Sequence, residues 1–313
     1  MIRFREFGAI IGFALVFVTF TVITPRSFLS FQNIGSILAM ASQLGVMAVG
    51  ISFLMISGEF DLSVGSVYAF SPIVMAYLVH VGINPIPALL AGLIVAALVG
   101  LSNGLITLKG EIPSFITTLG MMMLIRGVIF AFTGGFPVLY EGHSMGLLPI
   151  LNSNWGASTF RTSIVWFLFF VLLFSFILNR TAYGNRVQAT GANKKSAEAL
   201  GINWKRTKII NFVTCSVLAG FSGIINMSRF KTVEATLGEG MELEAIAVAV
   251  IGGNLLTGGY GTIWGTLIGA ILMGVIRSGL ILVGAPAFWY SAFIGAILIV
   301  AVVVNVRVQK KVG

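Results

Sequence analysis

The fold class is decided by residues 162–179, TSIVWFLFFVLLFSFILN, together with the stretch that follows, residues 180–208, RTAYGNRVQATGANKKSAEALGINWKRTK. The first stretch carries no charge, and a membrane-spanning helix needs about 20 mostly apolar residues. The second carries seven lysines and arginines, and these residues concentrate in short loops on the cytoplasmic side of a membrane. The pair therefore predicts a transmembrane helix that leads into a cytoplasmic loop at about 180–208.

Composition extends this prediction to the whole chain. Hydrophobic residues make up 57% of the 313 positions and charged residues 9%, whereas a soluble domain carries about 25% charged residues. Because so few charges cannot cover a water-facing surface, most of the surface must face lipid. We predict one all-α membrane domain over residues 1–313. The net charge of +9 falls in short loops without a base-reading pattern, which argues against nucleic-acid binding.

Ten segments are long and apolar enough, or nearly so, to cross a membrane as helices. The first imitates a signal peptide, but it ends in Thr24-Pro25-Arg26 without a small-residue cleavage pattern, so we expect it to remain as a span. The eighth is short, which predicts a broken or re-entrant element. The segments are residues 7–23, 36–57, 64–80, 86–108, 112–131, 162–179, 208–227, 243–256, 263–283 and 289–306.

The distribution of lysine and arginine sets the orientation. With the amino terminus inside and ten crossings, 13 basic residues face the cytoplasm, and the opposite orientation would place them all outside. We therefore predict that both termini are cytoplasmic and that residues 134–161 form a long external loop. The basic residues left on the external side are Arg26, Arg161, Arg229 and Lys231. Those within spans are Arg126 and Arg277.

Sequence patterns that support catalysis or metal binding are absent. There is no P-loop of the form GxxxxGK(S/T), no HExxH, no CxxC and no Ser/His/Asp set. The single cysteine, Cys215, lies in an apolar stretch and is expected to be a small buried residue. His80 and His143 are expected to be solvated or structural. We predict no catalytic residue, no metal site and no cofactor.

Polar side chains near the apolar segments each allow two interpretations. Glu59 and Asp61 form either a gate or substrate contact, or a polar turn in which Asp61 or Ser63 caps the next helix. Asn103, within the fourth segment, either meets a solute hydroxyl in a pore or bridges two helices.

The remaining charged groups at membrane depth are also ambiguous. Arg126, near the middle of the fifth segment, must pair with an acid or face water, and the sequence does not name its partner. Glu239, Glu242 and Glu244 lie at the start of the eighth segment. They either cap that helix or contact a partner outside the membrane.

Four motifs occur in order along nearly the whole chain. They are GEFDLSVG at 58–65; NG at 103–104 with IPSFITTLG at 112–120; TGAN at 190–193 with Ala197 and GIN at 201–203; and GxGxELxAIA at 238–247 with GG at 252–253 and GGxGTxxG at 258–265. Together they resemble the motifs of the permease subunits of ribose-type sugar ABC importers, which serve ribose, xylose, galactose and related sugars. Glu59 and Phe60 depart from the family pattern, which has Gly and an aliphatic residue there.

The resemblance implies a transport subunit, not an enzyme, in the bacterial inner membrane. It implies cytoplasmic ATP-hydrolysing subunits, a second permease copy or paralogue, and an external sugar-binding protein that delivers a monosaccharide, a pentose or a hexose. The alternative is a secondary transporter or facilitator for a small polar solute that works without an ATPase. That alternative is disfavoured because ion-coupled carriers use ionisable relays within the membrane, and no such relay is clear in the sequence.

The third motif matches the family's coupling element, which implies the ATPase-coupling residues Gly191, Ala192, Asn193, Ala197, Gly201 and Ile202. Good helix formers from Asn193 to Leu200 agree with this, and Gly201 is a suitable helix stop. We expect a short surface helix whose apolar side chains, Ala197, Leu200 and Ile202, are buried against a soluble partner. The alternative interpretation is an ordinary basic loop on the cytoplasmic side. Its rim charges would be Lys194, Lys195, Lys205, Arg206 and Lys208. The candidates for the translocation path are Glu59, Asp61, Asn103, Phe115, Thr117 and Thr118.

Overall fold

The computed structural model describes residues 3–141, 147–286 and 288–310. His143, interpreted above as solvated or structural, lies outside the described residues. The described elements are α1 (Arg3–Ile23), α2 (Pro25–Phe28), α3 (Phe31–Ile56), α4 (Val64–His80), α5 (Pro85–Lys109), α6 (Ser114–Thr133), β1 (Val138–Leu139), α7 (Leu147–Asn152), α8 (Thr162–Arg180), α9 (Ala182–Ala192), α10 (Lys194–Ala199), α11 (Trp204–Phe230), β2 (Thr232–Val233), α12 (Met241–Ile251), α13 (Ile263–Leu282) and α14 (Phe288–Lys310). The two short strands pair antiparallel, with Val138 opposite Val233.

A helix overlaps each of the ten apolar segments predicted from the sequence, although several helices extend beyond the predicted bounds. Among the described residues, six helices are long and apolar enough to cross a membrane: α3, α5, α6, α8, α11 and α13. Shorter apolar helices cover Ile10–Ile23, Val64–His80 and Phe288–Ile297. The predicted class, an all-helical membrane protein with several spans, is confirmed.

The eighth segment forms α12, which has only 11 residues. At 1.5 Å per residue it is about 16 Å long, about half of the 30 Å hydrocarbon core of a bilayer. Residues 234–240 before it and 252–262 after it are irregular. The helix alone is therefore too short to cross the hydrocarbon core, and a broken or re-entrant element at this segment stays a prediction.

Glycines let the central helices approach one another closely. A Cβ atom at Gly100 of α5 would lie 2.5 Å from the carbonyl oxygen of Phe212 on α11, and one at Gly50 of α3 would lie 3.0 Å from the Cα of Cys215. Small residues at such contacts are typical of helices that pack in lipid. Cys215 is buried and unpaired, as predicted.

The bundle has two distinct ends. At one end, which we call the basic end, the turns 57–63 and 252–262 meet α9 and α10, and the amide of Gly259 donates to the carbonyl of Ile56 at 2.8 Å. At the other, which we call the hairpin end, lie the paired strands β1 and β2 and the turn 153–161. There the hydroxyl of Thr159 donates to the carbonyl of Gln32 at 2.5 Å, and His80 contacts Glu141 at 2.8 Å.

The basic stretch 180–208 contains more helix than the single short one predicted. Three side-chain N-caps divide it: Thr181 accepts from Gly184 N to start α9, Asn193 accepts from Ser196 N to start α10, and Asn203 accepts from Arg206 N to start α11. Such caps satisfy the free amides of a first helical turn. Gly201, at φ +75°, follows α10 as the predicted stop. The additional helix is α9, which the propensity argument did not identify.

Candidate functional site

The predicted coupling residues lie at the basic end, where two of them contact the turns of the bundle and the other four form or follow α10. Gly191 is one of the first two, because a Cβ there would overlap the carbonyl oxygen of Ile56 and lie 2.5 Å from the amide of Gly259. Ala192 lies beside Gly259 in the same contact. The end of α9 is thus fixed directly on the end of α3 and on the turn that precedes α13.

The other four coupling residues form and end α10. Asn193 is its N-cap, and the amide of Ile202 donates to the carbonyl of Ala197 at 3.0 Å. Ala197 is only 1% exposed, because other residues of this chain cover it. The expectation that a partner buries Ala197 is therefore wrong. Leu200 is 77% exposed and Gly201 is also exposed, whereas Ile202 is half-buried. The surface open to a partner is therefore centred on Leu200.

Lys208, predicted as a rim charge around this surface, is fully buried. Its ammonium donates to Oε1 of Glu59, and the ammonium of Lys194 lies 3.9 Å from the same oxygen. The ring of Trp204 lies beside both lysines, 5.5 Å from Lys194 Nζ and 5.9 Å from Lys208 Nζ. A buried charge requires a partner, and Glu59, the residue that departs from the family pattern, supplies it.

Asp61 is the centre of a buried polar network two residues further along the same turn. Its carboxylate accepts from Ser63 N at 2.8 Å, Ser63 Oγ at 2.6 Å and Ser216 Oγ at 3.3 Å. Asn103 Nδ2 donates to both carboxylate oxygens at 3.3 Å and to Ser63 Oγ at 2.8 Å. These contacts match the helix-bridging interpretation for Asn103, and they place Asp61 in a polar turn. The predicted helix cap is not formed, because the N-cap of α4, Ser63, accepts no side-chain hydrogen bond from that helix.

The predicted path residues on α6 lie in three different environments. Thr118 Oγ1 accepts from Leu62 N at 3.1 Å, which ties α6 to the 57–63 turn. Thr117 is buried, and its hydroxyl has no hydrogen-bond partner among the described residues. Phe115 is 52% exposed on the outside of the bundle. The structure thus brings Asp61, Asn103 and Thr118 together near the basic end; their role in a path stays a prediction.

A cavity of about 380 Å³ opens near the hairpin end, and none of the predicted path residues lines it. Its walls come from α3, α4, α11, α12, α13 and the turns 153–161 and 234–240. The charged side chains in these walls are Arg161, Arg229 and Arg277, and the polar ones are Ser36, Gln43, Tyr68, Asn154, Thr159 and Asn226. From the sequence alone, these arginines are assigned only to a side of the membrane or to a span, since they are far apart in the chain.

The polar groups of the cavity are held in place by contacts with one another and with neighbouring rings. Asn226 Nδ2 donates to Gln43 Oε1 at 3.4 Å, and Gln43 Nε2 is buried without a partner among the described residues. The guanidinium of Arg229 lies 4.8 Å from the ring centre of Phe230, and that of Arg277 lies 5.1 Å from the ring centre of Tyr290. Burial and the nearby charge of Arg229 lower the pKa of Arg161.

Arg126 has the partner that the sequence could not name. Its guanidinium donates to the carbonyls of Ala235 at 2.7 Å and Leu237 at 3.0 Å, and it lies 3.9 Å from Glu239. These contacts hold the turn that leads into α12. Glu242 and Glu244 lie in the first turn of α12, where negative charge favours a helix, and Glu244 also accepts from the hydroxyl of Tyr290 at 2.9 Å.

A bundle of apolar helices with a polar cavity at one end is the architecture of a membrane transport protein. The family model described as "Branched-chain amino acid transport system / permease component" matches residues 33–302. The chain belongs to this family, and it is a multi-pass protein of the cell membrane.

Curated relatives agree with this assignment. The ribose import permease protein RbsC of Escherichia coli (strain K12) is 34% identical over 94% of this chain and 92% of its own length. The protein of the same name from Bacillus subtilis (strain 168) is 33% identical over 96% and 92%. The L-arabinose ABC transporter permease protein AraH of Azospirillum brasilense is 32% identical over 94% and 86%. No solved structure matches the chain at a significant level.

Proposed function

We propose that this chain is the permease subunit of a binding-protein-dependent ABC importer that carries a monosaccharide, a pentose or a hexose, into the cytoplasm. The observation that carries the proposal is the similarity, over most of the chain, to permeases named for ribose and arabinose import. The cavity supports it, because amide and hydroxyl groups beside aromatic rings suit a small polar solute, and its volume lies within the range of about 300–1,000 Å³ usual for ligand sites.

The proposed orientation places the basic end in the cytoplasm and the hairpin end outside, with ten crossings and both termini inside. The cluster of lysines and arginines at the basic end supports it. In this orientation the cavity opens toward an external sugar-binding protein. A second copy of this chain, or a paralogue, would complete the transmembrane unit.

Coupling to ATP hydrolysis is assigned to the exposed face of α10. A cytoplasmic ATPase subunit would bury Leu200 and contact Lys194, Lys195 and Glu198, which are all exposed. Movement of α10 would reach the transmembrane helices by two routes. One is the close contact of Gly191 with Ile56 and Gly259, and the other is the ion pair between Lys208 and Glu59. The ATPase performs the bond chemistry, and this chain supplies the path.

One observation favours a second candidate, an ion-coupled carrier that works alone. Asp61 is a buried carboxylate that forms no ion pair within the described part of the chain, and such groups bind protons or cations in secondary transporters. Its five hydrogen bonds to the neighbouring hydroxyl, amide and backbone groups support a structural role instead.

Reconstitution separates the two candidates. Proteoliposomes that hold this chain are prepared with and without its ATPase subunit and binding protein, and uptake is measured for a labelled panel of pentoses, hexoses and sugar acids. The importer hypothesis expects uptake only when the ATPase and ATP are present. Equal uptake by the chain alone, driven by a pH or sodium gradient, would establish the carrier instead.

A further inference from the structure

Three arginines converge on the hairpin-end cavity without a carboxylate among its lining residues. Arg161 comes from the turn before α8, Arg229 from the last turn of α11, and Arg277 from the C-terminal half of α13. Arg161 and Arg229 are half-buried, and Arg277 is exposed. Arg161 and Arg229 form no ion pair with any carboxylate in the described ranges. Arg277 contacts the ring of Tyr290, whose hydroxyl donates to Glu244.

Electrostatic repulsion between these guanidinium groups makes the arrangement unfavourable. Like charges repel most strongly where burial lowers the local dielectric constant, and the lowered pKa of Arg161 reflects both burial and the charge of Arg229. A neutral sugar would leave that repulsion in place. A carboxylate bound between the guanidinium groups would remove it and gain charge-assisted hydrogen bonds.

The rest of the cavity suits the remainder of a monosaccharide. Gln43 Nε2 is a buried donor without a described partner, and Asn226 and Asn154 add further amide groups. Tyr68 and Phe230 contribute aromatic surface. The cavity reaches the fully buried Tyr68 of α4, whereas Phe230 and Arg277 in its walls are exposed. It is therefore closed at its base and open at its mouth, which suits a solute that diffuses in.

We propose that the cavity binds an acidic monosaccharide, a uronic or aldonic acid, whose carboxylate is held by Arg161, Arg229 and Arg277 and whose hydroxyls meet Gln43 and Asn226. This inference rests on the proposed function, sugar import, and narrows its substrate class.

Equilibrium binding to the full chain in lipid nanodiscs tests it. Labelled D-galacturonate, D-glucuronate and D-gluconate are compared with D-galactose and D-glucose, and sodium acetate and inorganic phosphate are used as competitors. At least one acid is expected to bind about tenfold or more tightly than its neutral counterpart, a difference of about 1.4 kcal/mol. Its affinity should fall with added salt, as expected for a charged contact.

Variants locate the site. Arg229→Gln and Arg277→Gln should each weaken binding of the acid by about tenfold or more, since each removes a charge-assisted hydrogen bond to the carboxylate. Arg277→Lys keeps the charge and should lose less. Arg26→Gln is the matched control, because it removes the same charge at the hairpin end from a residue that does not line the cavity, and it should change nothing. Size-exclusion profiles and thermal unfolding verify that each variant is folded.

Three outcomes would overturn the inference. The acids and neutral sugars could bind equally well, acetate or phosphate could bind as tightly as the sugar acids, or the cavity variants could impair only association with the external binding protein. None of these outcomes decides whether uptake from a panel of pentoses, hexoses and sugar acids requires ATP and the ATPase subunit. The ATP dependence of uptake therefore tests the proposed function independently of which sugar in the panel is carried.

Discussion

Lys208 on α11 and Glu59 in the turn after α3 form a buried ion pair, with the lysine ammonium donating to Oε1 of the carboxylate. Lys208 has no exposed surface and Glu59 very little. The pair joins the segment that follows α10 to the turn that links α3 and α4. It is therefore both a stabilising contact and a mechanical link between the proposed coupling helix and the core of the bundle.

Removal of one partner of this pair should destabilise the protein more than removal of both. Lys208→Met leaves a buried carboxylate with only Lys194 near it, at 3.9 Å, and should cost about 3 kcal/mol, the lower end of the range for broken buried pairs. Glu59→Gln combined with Lys208→Met should recover much of that loss. Unfolding titrations in mixed micelles measure both. Equal losses in the single and double variants would contradict the assigned pairing.

Gly191→Ala should disrupt the contact between α9 and α3. The added Cβ would overlap the carbonyl of Ile56, and overpacking of this kind costs about 1–3 kcal/mol. We expect lower thermal stability and slower ATP-driven uptake. Gly127→Ala on α6 is the control, because no atom lies within 4 Å of its added Cβ. Equal thermal stability and equal uptake rates in the two variants would show that transport does not depend on the close approach at Gly191.

Leu200→Glu should abolish association with the ATPase and leave membrane insertion intact. The side chain is exposed, so the change costs this chain little, but it would place an unpaired charge in the centre of the proposed contact. Phe136→Glu makes the same kind of change at the hairpin end, where Phe136 is equally exposed, and should leave association intact. Co-purification of the ATPase from detergent extracts is the measurement. Undiminished recovery with Leu200→Glu would remove α10 as the docking site.

Arg126→Gln should loosen the turn before α12. The variant loses charged hydrogen bonds to the carbonyls of Ala235 and Leu237, each worth about 1.5–3 kcal/mol when the donor is an ion. Faster hydrogen–deuterium exchange across residues 234–240 is the expected result. Exchange that stays at the native rate would mean that the turn is held by other contacts.

The charges and hydropathy of the sequence were sufficient for the class and for the position of each apolar helix. The stop at Gly201 also follows from local chemistry, and so does the cap at Asn193. Both features depend on residues close in the chain, so they can be predicted from the sequence. The four motifs, each short, indicated the family because they occur in order along nearly the whole chain.

The burial and pairing of the site residues depend on which face of each helix packs against its neighbours. Hydropathy does not indicate that face. Lys208 looked like one basic residue among seven, yet α11 turns it inward to Glu59, which precedes it by 149 positions. Ala197 looked available to a partner, yet α10 packs it against its own chain. Arg161, Arg229 and Arg277 belong to three segments, and only the packing of α8, α11 and α13 brings them to one cavity. The sequence by itself determined a membrane protein and its apolar helices, because those follow from local composition, and its motifs indicated the transport family. Tertiary structure alone decided which charges are paired, which are buried and which face the cavity, because these depend on contacts between residues distant in the chain.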